Sequence, residues 1–395
     1  MKKALYLVCV FALINLFISA ASAQDVVVET VLEGLNNPSG VAIQPETGHI
    51  FVADSGALRI LRVVEGKAEE VITDFPKDVY GKGPFYDIGP LGLLFLDKDT
   101  LVVGGGGLTD GKEMLRVFKL PAAGEAPIKA DQLHGDAKIL AGNEDIPGEG
   151  NFYAMAKGTK GIYVTCNGDD DKGWISMATL QEDYKLKDFN RSIATKEEIG
   201  VDAPVAITIS PQRHIVVGQM GEITGEADSQ LTFYSEDREM LRNFKLDLHD
   251  ITSLVYSPIR RRLFCTDFNW QDPEKGGLYK IVKTRNKALC ETKLMVTLKK
   301  PTAMAFNSVG DAFVTLAGTT SEGAAEPDGQ LVVIRKLDVA PRKKNKQSSQ
   351  FKNLAIEIYF GCTTSRKSWT DGRRWTVQVP RLHFVCARCR TDVSD

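Results

Sequence analysis

Long apolar runs are scarce in this chain of 395 residues. The uncharged, mostly apolar stretch from Ala4 to Ile18 has 15 residues, short of the roughly 20 that a transmembrane helix needs. No later segment comes closer, so a polytopic membrane protein is excluded. Cysteine is sparse too. Cys9 lies in that first stretch, and the body holds only Cys166, Cys265 and Cys290. An odd number spread so widely is no disulfide scaffold, and a chain of this length buries enough apolar surface without staples. Cys166 and Cys265 end apolar runs and are expected as buried free thiols. Helical periodicity is missing almost throughout. Charge of one sign appears missing, because the formal net charge is only −2, but that value averages unlike pieces. From Gln24 to Ala340 there are 35 basic and 47 acidic residues, whereas Pro341 to Asp395 has 12 basic and 4 acidic. A hydrophobic content of 43% excludes wholesale disorder.

The first 23 residues read as a secretory signal. Lys2 and Lys3 form a positive n-region, the apolar stretch follows, and Ala21-Ser22-Ala23 supplies the small residues of a cleavage site. The mature chain is then expected in a secreted or periplasmic compartment, with no membrane attachment after cleavage.

What the chain has is repetition. Asn37 to Ile43, His49 to Asp54, Leu58 to Val63 and Glu70 to Ile72 are four short β-type runs, bounded by Gly, Asp, Asn or Pro. The opening run recurs at Val41, Leu93, Ala154, Ala206, Leu254 and Met304, at spacings of 52, 61, 52, 48 and 50 residues. Six such units predict an all-β, six-bladed β-propeller of four-stranded antiparallel blades over residues 24–340. Radial packing buries the faces of each blade and leaves only short edges. The last unit lacks an outer strand; the β-rich run Asp25 to Leu32, in preference to the tail run Asn353 to Ile358, is expected to fill that place and close the ring. The run from Pro121 to Gly150 is expected as an extended loop with an outer strand near Lys138-Ile139-Leu140. Thr195 to Glu198 has the form of a capping box.

The first unit resembles an NHL-type repeat in Pro38-Ser39-Gly40-Val41, in Ile50-Phe51-Val52-Ala53-Asp54 and in Arg59-Ile60. Pro301 to Thr315 is a weaker second match. The body as a whole resembles the six-bladed superfamily that includes gluconolactonase-type propellers. That resemblance implies a metal site on the central axis, made by a glutamate, asparagines and an aspartate. The glutamate would stand just before the first inner strand, where this chain has Asn36, Asn37 and Pro38.

Loops leading into the inner strands, and loops joining second to third strands, open on one face of a propeller. Here they carry Asn37, Asp87, Asn151, Asp202, His249 with Asp250 and Lys300, then Asp54, Asn167 with Asp169, Gln219 with Glu222, and Asp267 with Asn269. Oxygen donors of this kind suit a hard cation such as Ca²⁺. The same residue types also serve ordinary turns, where their side chains cap backbone N–H groups. His249 beside Asp250 can be a base and its orienting carboxylate. Trp270 can stack on a ligand ring or pack on its own loop. Asp169-Asp170-Asp171 lacks calcium-loop spacing and reads as a solvated loop. Gly104 to Gly107 reads as a tight approach to the axis.

These residues lead first to a monomeric binding module. It would take a small-molecule, glycan or protein ligand on the axial face at Asn37, Asp54, Asp87 and Trp270, with a divalent cation as an open option. The alternative is a metal-dependent hydrolase of lactones or sugar-acid esters. There Asn151, Asn167, Asp202 and Asp267 hold the cation, and Asp202 or Asp250, with His249, moves the proton. An acidic body argues against nucleic acid. Beyond it, residues 341–350 read as a basic linker. Residues 351–395 read as a poorly structured tail, in which His383, Cys386 and Cys389 with Cys362 have zinc-like or disulfide spacing, or as sequence unrelated to a finished propeller.

Overall fold

The computed structural model describes residues 26–81, 85–169, 171–284, 289–319 and 326–338. The expected signal, the basic linker and the cysteine-containing tail lie outside these residues.

The chain forms a six-bladed β-propeller. Blade 1 runs from the axis outward through Pro38–Ile43, Ile50–Asp54, Arg59–Val64 and Lys67–Thr73. Blades 3, 4 and 5 repeat this four-stranded antiparallel order from inner strands Met155–Lys157, Pro204–Ile209 and Ile251–Tyr256. Blade 6 has Pro301–Phe306, Ala312–Leu316 and Gly329–Ile334, and its outer strand is Val28–Leu35 from the start of the chain. The N-terminal run thus closes the ring as expected.

Blade 2 departs from the expectation. It has three strands, Pro90–Phe95, Thr100–Gly105 and Leu115–Lys119. The expected outer strand near Lys138 is reduced to a single bridge to Leu115. The loop around it instead sends Ile128–Lys129 across to pair in parallel with the outer strand of blade 1. A run rich in Gly, Pro and Asp does not sustain a long ladder, so it pairs only at Ile128–Lys129 and at the Lys138 bridge.

Alternation within the strands builds the core. Val52 faces back into an apolar cluster shared with blade 6, and its neighbour Phe51 faces forward into one shared with blade 2. Val102 and Leu101 divide the same way between the clusters on either side of blade 2. Each blade therefore spends both faces on burial, with each large side chain contributing about 1.5–3 kcal/mol. Close approach at the axis needs small residues. A Cβ on Gly40 would collide with the Leu91 carbonyl oxygen of the next blade. Cys166 and Cys265 are buried and free.

Thr195–Ile199 is a single helical turn, but the expected capping box does not form. Thr195 is the first helical residue, and its hydroxyl donates to the Gly173 carbonyl instead of capping.

Candidate functional site

The top of the axis is built by a repeated irregularity. Five inner strands carry a register shift just after their start, between Pro38 and Gly40, Pro90 and Leu93, Pro204 and Ala206, Ile251 and Ser253, and Pro301 and Ala303. A bulge re-aims the residue it inserts. The residues inside these shifts include Ser39, Leu91, Val205, Thr252 and Thr302, and all five line one axial cavity. Three threonine hydroxyls stitch neighbouring blades below it. Thr302 donates to the Pro38 carbonyl and Thr252 to the Pro301 carbonyl, both at 2.6 Å, and Thr165 donates to the Val205 carbonyl at 3.2 Å. Tyr153, from blade 3, spans to blade 6 and donates its hydroxyl to the Thr302 carbonyl at 2.9 Å.

Above this floor the walls are aromatic. The short hairpin Asp78–Tyr80 and Tyr86–Ile88, between blades 1 and 2, brings Tyr80 and Tyr86 over the axis. Both meet Trp270 edge to face, at 6.3 and 5.5 Å, and Trp270 stacks on Phe268 at 5.0 Å. None of the side chains lining the cavity is charged. Two buried donors in it have no hydrogen-bond partner, the Trp270 indole Nε1 and the Tyr86 hydroxyl. Burial pushes the Tyr86 phenol up to about 12, so it remains an O–H donor at neutral pH.

Beside the cavity, and sharing Tyr80, Asn151, Asn167 and Met220 with it, lies a polar cleft. Asp110, Lys196, Asp202 and Glu222 line it. Lys196 Nζ lies 3.0 Å from Asp202 Oδ2, while Asp202 Oδ1 accepts the Ala203 N–H at 2.6 Å.

The residues singled out from sequence are divided by this geometry. Asn37, Asn151, Asn167 and Trp270 line the cavity, and Asp202 lines the cleft. Asn37 and Asn151 also have positive φ, of 46° and 48°, a backbone state that asparagine tolerates. Asp87 pairs with Lys77 at 2.8 Å, and its carbonyl accepts the Asn37 amide. Asp54 is fully buried, bound by Arg59 at 2.9 Å and by the Asn36 N–H. Asp267 is likewise spent on its turn, accepting the N–H groups of Asp250, Asn269 and His249. Neither Asp54, Asp267, Asp250 nor His249 lines the cavity or the cleft. Asp250 accepts the Trp270 N–H at 2.5 Å, and among the described residues no hydrogen bond joins it to the His249 ring. Asp169 is buried rather than solvated, because its carboxylate accepts the Trp174 indole N–H at 3.1 Å.

Sequence reasoning missed Tyr80, Tyr86 and Phe268, and also Lys196 and Glu113. Glu113 is buried beside the cleft and accepts the Asn151 N–H. Burial, with Asp110 nearby, pushes its carboxyl up to about 8. Two tyrosines flanking a Gly-containing turn were the one signal available for the aromatic wall.

No family model and no curated protein sequence matches the chain. Solved structures share its architecture. One is the PQQ-bound form of aldose sugar dehydrogenase from Streptomyces coelicolor, at 15% identity and a TM-score of 0.51, covering 78% of this chain and 98% of that one. A glucose dehydrogenase is similar at 12% identity and a TM-score of 0.52, covering 78% and 99%. A luciferin-regenerating enzyme is similar at 13% identity and a TM-score of 0.50, covering 80% and 96%. At such identities the likeness establishes the six-bladed fold. It also corrects the first expectation: these propellers are enzymes, which fits the enzymatic alternative better than a module that only binds.

Proposed function

We propose that this chain is an exported hydrolase of lactones or sugar-acid esters, whose first blade is NHL-type. The observation that carries the reading is the juxtaposition on one axial face of an uncharged, largely apolar cavity with a polar cleft containing Asp202 and Lys196. Pockets of this make-up, with apolar walls and a few convergent polar groups, are what small-molecule sites require. A ring in the cavity presents its carbonyl toward the cleft. The Asp202 carboxylate takes a proton from water, and the resulting hydroxide attacks the carbonyl carbon. The Asn151 and Asn167 amides and the Lys196 ammonium face the oxygen that gains charge. The ester C–O bond then breaks, and the leaving alkoxide takes the proton back.

PQQ, bound in the similar aldose sugar dehydrogenase, is a polyanion. The cleft offers Asp110, Asp202 and Glu222 against Lys196 alone, and the cavity offers no cation. This donor set does not fit it, which disfavours a dehydrogenase using that cofactor. For a calcium ion, Asn151, Asn167 and Asp202 share the cleft, but the fourth expected donor is missing. Asp267 is spent on backbone N–H groups, and among the described residues no three acidic, histidine or cysteine side chains are grouped to hold a metal. No step is therefore routed through either group. Melting with millimolar Ca²⁺ or with EDTA should leave Tm unchanged, and a rise of several degrees with Ca²⁺ would restore the cation.

The direct test is hydrolysis of a lactone panel in a pH-stat. Asp202→Asn should lower kcat by about a hundredfold or more while leaving the circular dichroism spectrum unchanged. An unaltered kcat in this variant, or no turnover of any lactone by the native chain, would overturn the assignment.

A further inference from the structure

The polar groups of the axial cavity are mostly committed already. Thr252, Thr302 and Tyr153 donate their hydroxyls to backbone carbonyls, and so does Ser39, to the Asn37 carbonyl. The Asn37 amide is held by the Asp87 carbonyl, and the Asn167 amide lies 3.4 Å from the Tyr80 hydroxyl. The walls between them are Ile88, Leu91, Val205, Met220 and Phe268. Among the buried side-chain atoms of the lining, two donors have no partner, the Trp270 Nε1–H and the Tyr86 O–H.

This inventory constrains the ligand. A sugar ring brings several hydroxyls, each of which loses water on entry. Each one left without a partner costs about 1–3 kcal/mol. The lining is mostly apolar and its two unpaired buried groups are donors, so a ring with several hydroxyls leaves most of them unmatched while an acceptor is favoured. A fixed negative charge is disfavoured as well, because no cation lines the cavity and the adjoining cleft carries three carboxylates.

We propose that the axial cavity takes an uncharged, largely apolar lactone, an alkyl- or aryl-substituted ring whose ring oxygen accepts from Trp270 and Tyr86 while its carbonyl faces the cleft, rather than a sugar lactone. The proposal rests on the hydrolase reading for the reaction but not for the binding. It also accounts for product release. Opening the ring creates a carboxylate, which the uncharged cavity and the acidic cleft expel.

A matched pair of probes tests this on the full chain. δ-Decalactone and glucono-δ-lactone share a six-membered lactone ring, one bearing an alkyl tail and the other hydroxyls. Stopped-flow tryptophan fluorescence reads binding before hydrolysis, and a pH-stat reads turnover. The expected result is a quench with δ-decalactone at least tenfold tighter than with glucono-δ-lactone. Trp270→Phe keeps an aromatic ring but loses the N–H together with the second ring of the indole, whereas Tyr86→Phe loses only the O–H. Each should raise KM for δ-decalactone about tenfold, the worth of about 1.4 kcal/mol. Equal or tighter binding of glucono-δ-lactone, or no binding of δ-decalactone, overturns the proposal. Tight binding of δ-decalactone without turnover leaves the ligand class standing and sinks the hydrolase reading alone.

Discussion

Asp250 shows how a buried carboxylate can serve a site without touching its ligand. One oxygen accepts the Trp270 N–H at 2.5 Å and the other has no partner. Burial and the neighbouring Asp267 push its carboxyl up to about 6. Its role is to hold the loop that carries Trp270 over the cavity. Asp250→Ala should therefore cost about 1–3 kcal/mol, the penalty for an orphaned buried N–H. Asp250→Asn keeps an acceptor and should recover most of that loss. Urea unfolding at pH 7 checks both, and an alanine variant as stable as the native chain would remove the positioning role. At this scale the sequence was only partly legible. Asn37, Asp54, Asp250 and Asp267 all stand at similar turns, and nothing in their immediate neighbours separates the one that lines the cavity from the three that cap backbone. That division follows from which oxygen meets which N–H, and it appears only when strands of different blades are brought together.

Blades and their closure were far more legible, because a repeat near fifty residues and strict alternation both follow from short strands buried on two faces. The alignment of repeats was less secure. Ala206 and Val41 occupy equivalent places in the sequence repeat, yet in the ladders it is Ile207 that pairs as Val41 does, Ile207 with Val217 and Val41 with Val52. A slip of one residue exchanges the faces of a strand. It also hides the bulged position, which is why the cavity floor at Val205 went unread. The hairpin with Tyr80 and Tyr86 was missed for another reason, since an insertion has no counterpart in the other units. Closure makes a sharp prediction. Leu35 ends the closing strand, is 2% exposed and packs in the cluster shared by blades 6 and 1. Leu35→Ala should lower stability by about 2–5 kcal/mol. Val28, at the other end of the same strand, is 38% exposed, and Val28→Ala should change stability by less than about 0.5 kcal/mol. Comparable losses from the two variants in urea would show that closure does not depend on this packing.

For the whole molecule, the buried acids set how stability varies with pH. Burial raises Glu113 to about 8, Glu149 to about 7 and Asp250 to about 6. Asp110 and Asp78 add to the rise at Glu113, and Asp169 does so at Glu149, where Arg191 opposes it. At Asp250 the charges of Asp267 and Asp228 add to it and His249 opposes it. Each folded-state value stands above the ordinary carboxylate range, so the folded chain holds these protons more tightly than the unfolded chain does. The stability they confer is complete below about pH 4 and is lost as pH rises through 6, 7 and 8. Several more exposed carboxyls, including Asp97, Asp183, Asp237 and Asp328, are shifted down. They therefore act only at pH values below the ordinary carboxylate range and do not oppose the trend above it. The urea midpoint should thus be higher at pH 5 than at pH 8.5, by a free energy on the order of a few kcal/mol. Glu113→Gln retains an acceptor for the Asn151 N–H while removing the largest of the three shifts, so it should flatten the profile between pH 7 and 8.5 most. A native profile that rises steadily toward pH 8.5 would mean that these acids are ionised in the folded chain and that water or cations reach them. The acidic wall beside the cavity would then have to be redrawn.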